Sequence, residues 1–341
     1  MKSITLECFV KSLYKQILNR EPDESGLTLC LQVLENGQKT PEEVVSDFIN
    51  SVEFQLKRPI KFKGYYHNDI EWDADEETCE SIFGEIFNYW NSVGIDLETV
   101  YWSVLTFSKY KGKLSEAVIN EFYRSDPYGS DHPSIGSKYL SIWQSVFQDG
   151  KMPSSIVDFG AGVGRISVDL RLSFKDSHVI AVDFSQGHLE TLRGNLRNPK
   201  LDIFDTVGAG NIQCLSYSTL PELKRHLSLV KPELIVSSIV LQHNPPPLMA
   251  FLVETLLSSL DKGGLAILHI PVFSSHDDYS FNLSEYLAQS MESKVDMQMH
   301  AMPANAIFEV AKRSDCQVIQ FSPSHACLES FLSYDVVFQK N

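Results

Sequence analysis

The chain has 341 residues, 43% of them hydrophobic and 21% charged, and carries a formal net charge of −15 at pH 7. That balance belongs to a folded protein rather than a disordered one, and the length favours more than one domain. A surface this negative repels phosphate backbones and anionic lipid, and no run of Lys and Arg offsets it, so nucleic acid and membrane surfaces are excluded as partners.

The first 58 residues read as helices. Leu6, Phe9, Val10, Leu13 and Ile17 recur at helical spacing up to Asn19-Arg20-Glu21-Pro22. Asp23 is placed to cap a second helix carrying Leu27, Leu31 and Leu34, which stops at Asn36-Gly37. Thr40-Pro41-Glu42-Glu43 opens a third as a capping box, with Val44, Val45, Phe48 and Ile49 on its apolar face. Residues 59–135 are rich in aromatics, Trp72, Phe83, Phe87, Trp90, Tyr101 and Trp102 among them, and read as a helical cap.

From Ser154 onward, short β-branched runs alternate with helical stretches, the pattern of a parallel sheet with crossover helices. Strands are expected at 156–159, 179–183, 234–237 and 265–270. Two more, around Val318-Ile319 and Val336-Val337-Phe338, are separated only by a loop and so should form a closing antiparallel hairpin. The six cysteines are scattered without metal-ligand spacing, and no metal site is expected. Glu7 interrupts any signal-peptide core and no apolar run approaches the roughly 18–20 residues of a membrane span, so a cytoplasmic location is expected.

The strongest motif is Val157-Asp158-Phe159-Gly160-Ala161-Gly162-Val163-Gly164-Arg165, where a strand runs into a helix. Glycine permits positive φ and lets a ligand reach backbone N–H groups at a helix start. Asp183 closes the next strand, where a carboxylate can take two ribose hydroxyls. A dinucleotide site wants a third glycine where Arg165 stands, and an apolar residue where Asp158 would repel pyrophosphate. S-adenosylmethionine carries an ammonium and a sulfonium that a carboxylate attracts, so the methyl donor is the expected cofactor.

This region resembles the class I S-adenosylmethionine-dependent methyltransferases. The resemblance implies an α/β, Rossmann-like, seven-stranded, mostly parallel sheet with a C-terminal antiparallel hairpin over residues 136–341. It also implies that Asp158, Gly160, Ala161, Gly162 and Asp183 bind the cofactor, with Phe184 on the adenine or ribose and Asn211-Ile212 on the adenine. Tyr101-Trp102-Ser103, Phe122-Tyr123-Arg124-Ser125, Leu241-Gln242-His243 and His300 together resemble a subgroup encoded among bacterial polysaccharide genes, which implies a sugar acceptor. Asp126-Pro127-Tyr128-Gly129 departs from the shorter turn expected there. Separately, Tyr14-x-x-Ile17-Leu18-x-Arg20-Glu21-Pro22-Asp23 with Ser51-Val52-Glu53-Phe54 resembles a small helical domain of unknown function fused to bacterial glycosyltransferases and surface-layer proteins. That resemblance implies a docking role for residues 1–58 toward a protein partner, or a bundle that merely packs on its neighbour.

Methyl transfer to a hydroxyl benefits from a base beyond the carboxyl ends of the strands. His243 follows the fourth strand in a loop stiffened by Pro245, Pro246 and Pro247; it either serves the acceptor or caps the next helix. His300, after a long insertion behind the fifth strand, is the second candidate. The expected function is O-methylation of a sugar hydroxyl on a glycan or nucleotide-sugar. The alternatives are methylation of another small-molecule oxygen or nitrogen, and a non-catalytic scaffold that keeps the cofactor fold. A chain beginning near Lys61 is expected to fold and bind the donor without the helical module.

Overall fold

A computed structural model describes residues 2–18, 20–49, 51, 70–93, 135–162, 164–196, 212–274, 280–290, 299–324 and 331–341. Helices α1 (Lys2–Ile17), α2 (Glu24–Glu35) and α3 (Pro41–Ile49) form where the caps place them. Asp23 accepts a 2.8 Å hydrogen bond from the Gly26 N–H. Thr40 and Glu43 bond reciprocally, at 2.8 Å from the Thr40 N–H to Glu43 Oε2 and 3.4 Å from the Glu43 N–H to Thr40 Oγ1.

Further along lie α4 (Glu76–Val93), α5 (Ile135–Val146), β1 (Ser155–Phe159), α6 (Arg165–Ser173), β2 (His178–Asp183) and α7 (Gln186–Leu196). Then come β3 (Ile212–Ser216), α8 (Leu220–Val230), β4 (Leu234–Ser237), a 3-10 turn (Leu241–His243), α9 (Pro246–Ser259) and β5 (Leu265–Ser274). The chain ends with α10 (Leu283–Ala288), α11 (Ala304–Arg313), β6 (Cys316–Pro323) and β7 (Phe331–Lys340). The seven strands run in the order β3-β2-β1-β4-β5-β7-β6. β1 is parallel to β2 and β4, β2 is parallel to β3, and β7 is antiparallel to both β5 and β6. This is the expected Rossmann-like sheet with its closing hairpin. β1, β2, β4 and β5 are almost wholly buried, as a continuous apolar run requires. β3 lies at the edge, and Ile212 is its one buried residue, so hydropathy alone does not mark it as a strand.

The described chain divides into two compact units, Met1–Cys79 with Ser238–Asn341, and Glu80–Ser237. Within the first, α1 packs on β6 and α3 on α11. Phe9, Val10, Leu13 and Ile17 are buried, and the Phe9 ring meets Phe308 edge-on at 6.0 Å. This packing sets a shared core against the expected separability of the helical module, which truncation tests. Helical periodicity announces that a face is buried but not what buries it, and here the C-terminal strands do so.

Candidate cofactor turn and histidine pair

In the unit Glu80–Ser237, Gly160, Gly162 and Gly164 all take positive φ, at 74°, 54° and 92°. The Gly160 and Ala161 N–H groups donate to the Val182 carbonyl at 2.8 and 3.1 Å, carrying the β1–β2 pairing into the turn. A Cβ on Gly164 would fall 2.2 Å from Leu192 Cδ1, so this glycine also lets α6 approach α7. Among the described residues, a Cβ on Gly162 would meet nothing within 4 Å. That side of the turn is open.

Asp183 is buried at the end of β2. Its Oδ2 accepts from the Gly162 N–H and its Oδ1 from the Ser185 N–H, both at 2.8 Å. Burial raises its pKa above the usual carboxylate value, while His188 and the two backbone donors pull the other way. Each carboxylate oxygen keeps a second acceptor direction, so the residue that ties the glycine turn down can still take ribose hydroxyls. Asp183→Ala is therefore expected to weaken donor binding by roughly 1.5–3 kcal/mol, the scale of a hydrogen bond to a charged group. It should also speed amide exchange at Gly162. Unchanged affinity by calorimetry would remove Asp183 from the site.

Asp158 is buried on β1, and its Oδ2 accepts a 2.5 Å hydrogen bond from Ser167 Oγ on α6. It therefore also braces the helix that the glycine turn opens. Half-buried Phe184 lies against Phe83 and Phe87 of α4, with ring centroids 6.3 and 6.2 Å away. Phe83 in turn stacks on Tyr217 at 5.5 Å. Burial, and secondarily the Asp183 carboxylate, hold the Tyr217 phenol well above its usual pKa.

Ile212 is not brought to this place. It opens β3 opposite Val179, whereas Asp183 pairs with Ser216, four residues on and roughly 13 Å farther along the strand. Ser216 and Tyr217 occupy the position next to Asp183 instead. Asn211, Tyr101–Thr106, Phe122–Ser125 and Asp126–Gly129 lie outside the described residues.

In the other unit, His243 ends the 3-10 turn, with its N–H donating to the Val240 carbonyl at 3.1 Å. It does not cap α9, whose N-cap is Pro245. The His300 N–H donates to the Gln242 carbonyl at 2.9 Å, so the two candidate histidines belong to neighbouring backbone. The His300 ring is buried edge-on to Phe281 (5.6 Å) and Tyr286 (6.4 Å). Burial, with a smaller contribution from His243, pushes His300 down to about 4. It is neutral at pH 7 and a weak proton acceptor.

The unfolded chain takes up a proton at His300 near pH 6.5 that the folded chain refuses until about pH 4. Stability from this group is complete above pH 6.5 and is lost as pH falls toward 4, by up to about 1.4 kcal/mol per pH unit. Urea midpoints measured from pH 7 to 4.5 are expected to fall less in His300→Gln than in the wild type. Identical pH dependence would contradict the buried neutral imidazole.

Among the described residues no group of three or more His, Cys, Asp and Glu is placed to hold a metal ion. No described helix is long and apolar enough to cross a membrane. The family model for DUF4214, a domain of unknown function, matches residues 2–58. No match is found among curated protein sequences.

Similar solved structures include magnesium protoporphyrin IX methyltransferase from Synechocystis with bound S-adenosylmethionine, at 13% identity and a TM-score of 0.40 over 68% of this chain and 100% of that one. TehB from Haemophilus influenzae is 15% identical, with a TM-score of 0.42 over 65% of this chain and 67% of that one. An O-methyltransferase family 2 protein from Planctomyces limnophilus, in complex with apigenin, is 14% identical, with a TM-score of 0.37 over 67% and 66%. The fold assignment rests on the strand order and register above.

Proposed function

We propose that this chain is an S-adenosylmethionine-dependent methyltransferase acting on a hydroxyl of a small molecule or glycan, with a sugar hydroxyl as the acceptor. One observation carries the reading. An open glycine turn is tied by its Gly162 N–H to a buried carboxylate, Asp183, that retains acceptor capacity. An acidic residue, Asp158, stands two positions before the first glycine, where a dinucleotide's pyrophosphate would be repelled.

These residues fit the donor. Asp183 would take the ribose hydroxyls, Asp158 and the turn Gly160-Ala161-Gly162 would face the amino-acid end, and Phe184 with Ser216 and Tyr217 would border the adenine. When bound, the donor supplies an activated methyl on a sulfonium. The protein's part is to hold the acceptor oxygen in line and to receive its proton. Residues 1–58 would serve a protein partner through α2, no residue of which is buried, with Leu29 exposed.

Incubation with the donor and a panel of glycans and nucleotide-sugars, followed by product masses, tests the reading. One added methyl group on a sugar is expected. Methylation confined to other oxygens or to nitrogens would refute the acceptor assignment while leaving the methyltransferase.

A further inference from the structure

The unit that carries the histidines also contains a cavity of about 300 Å3, with His300, Phe281, Tyr286, Ser280, Glu285 and Gln289 on its lining. Its size is at the small end of ligand pockets and suits one substituted six-membered ring. One wall is the start of α10, and that wall is braced from afar. Ile70 bridges Phe281, and the Glu71 N–H donates to the Phe281 carbonyl at 2.9 Å. The Glu71 carboxylate accepts from the Leu283 N–H at 2.6 Å and from Asn282 Nδ2 at 3.2 Å. Asn282 Oδ1 in turn accepts from the Glu285 N–H at 2.9 Å.

At the lining, His300 is only 6% exposed. Its imidazole has ring neighbours but makes no hydrogen bond among the described residues. A ring nitrogen in that state takes its hydrogen bond from whatever fills the cavity, water or ligand.

The chemistry of the lining selects what that something is. A neutral imidazole offers one N–H donor and one nitrogen acceptor, which matches a hydroxyl, a group that both gives and takes. Glu285 is an acceptor only, Ser280 and Gln289 offer both roles, and among the described residues the lining holds no Lys or Arg. A phosphate would face a carboxylate with no cation to offset it, on a chain already at −15. Phe281 and Tyr286 supply apolar lining for ring carbons.

We propose that this cavity binds an uncharged, hydroxyl-rich ring and discriminates against phosphate-bearing ones. Naming it the acceptor subsite rests on the methyltransferase reading. The consequence is that the methylated ring enters as part of a neutral glycan rather than with its phosphates in this cavity.

The test uses the full chain without donor. Binding is read by ligand-observed saturation-transfer NMR and calorimetry for a panel of methyl glycosides of differing stereochemistry, for the matching sugar phosphates and for inorganic phosphate. At least one methyl glycoside should bind at least tenfold more tightly than its phosphate. His300→Phe, which keeps an aromatic ring without hydrogen bonds, should weaken that glycoside at least tenfold. Glu285→Gln, on an exposed helix position, should narrow the discrimination against phosphate with the fold intact by circular dichroism.

No glycoside binding, equal or tighter binding of the phosphates, or a folded His300→Phe with unchanged affinity would each overturn the proposal. A donor titration on the same sample separates the two readings. Donor binding without glycoside binding overturns this inference alone, and glycoside binding without donor binding overturns the methyltransferase assignment alone.

Discussion

His243→Ala is expected to lower turnover by roughly 100- to 10,000-fold while leaving donor affinity nearly unchanged, the range that general-base catalysis contributes. A hydroxyl must lose its proton as the methyl arrives, and a neutral imidazole within reach can take it. Of the two histidines, His300 is held at about 4 by burial, too weak a base to retain that proton. His243 is half-buried as a residue, with both ring nitrogens shielded from solvent. Its turn is stapled by the Val240 carbonyl, which accepts from both the His243 N–H and Asn244 Nδ2, and Pro245, Pro246 and Pro247 follow directly. The imidazole is therefore presented from a stiff backbone. Parallel losses of turnover and donor affinity would make His243 a shaping residue. Near-normal turnover would point to positioning alone, or to an acceptor such as a carboxylate that needs no deprotonation.

Deleting residues 1–58 is expected to destabilise the protein severely, giving insoluble or molten material rather than a smaller folded enzyme. Removing one buried aromatic such as Phe9 typically costs about 3–5 kcal/mol, against a total stability of about 5–15 kcal/mol. The deletion would remove Phe9, Val10 and Leu13 together, all buried, from a helix packed on β6. It would also uncover Phe308, whose ring Phe9 meets. A soluble truncated chain with a cooperative thermal transition near that of the full chain would show that β6 and α11 stand without this layer.

The sheet was legible because its central strands are apolar on both faces, which leaves runs such as Ile156-Val157 and Leu265-Ala266-Ile267-Leu268 unmistakable. β3 was not, since an edge strand with one buried residue has no such run. The register sets Ile212 roughly 13 Å along β3 from Ser216, the residue beside Asp183, an offset that no residue type announces. The glycine turn and Asp183 could be found because positive φ and a strand-end carboxylate each leave a mark in residue type. Phe83 and Phe87 could not be told from core aromatics, because only tertiary packing places them against Phe184. Glu71 carried no local signal at all, as its partners are some 211 and 212 residues away.

The most direct measurement is a calorimetric titration of the full chain with S-adenosylmethionine and, separately, with NAD. A single saturable site for S-adenosylmethionine, with no heat from NAD, is the predicted result. Binding of NAD with none of S-adenosylmethionine would contradict the account at its centre, since Asp158 and the glycine turn would then serve a pyrophosphate after all.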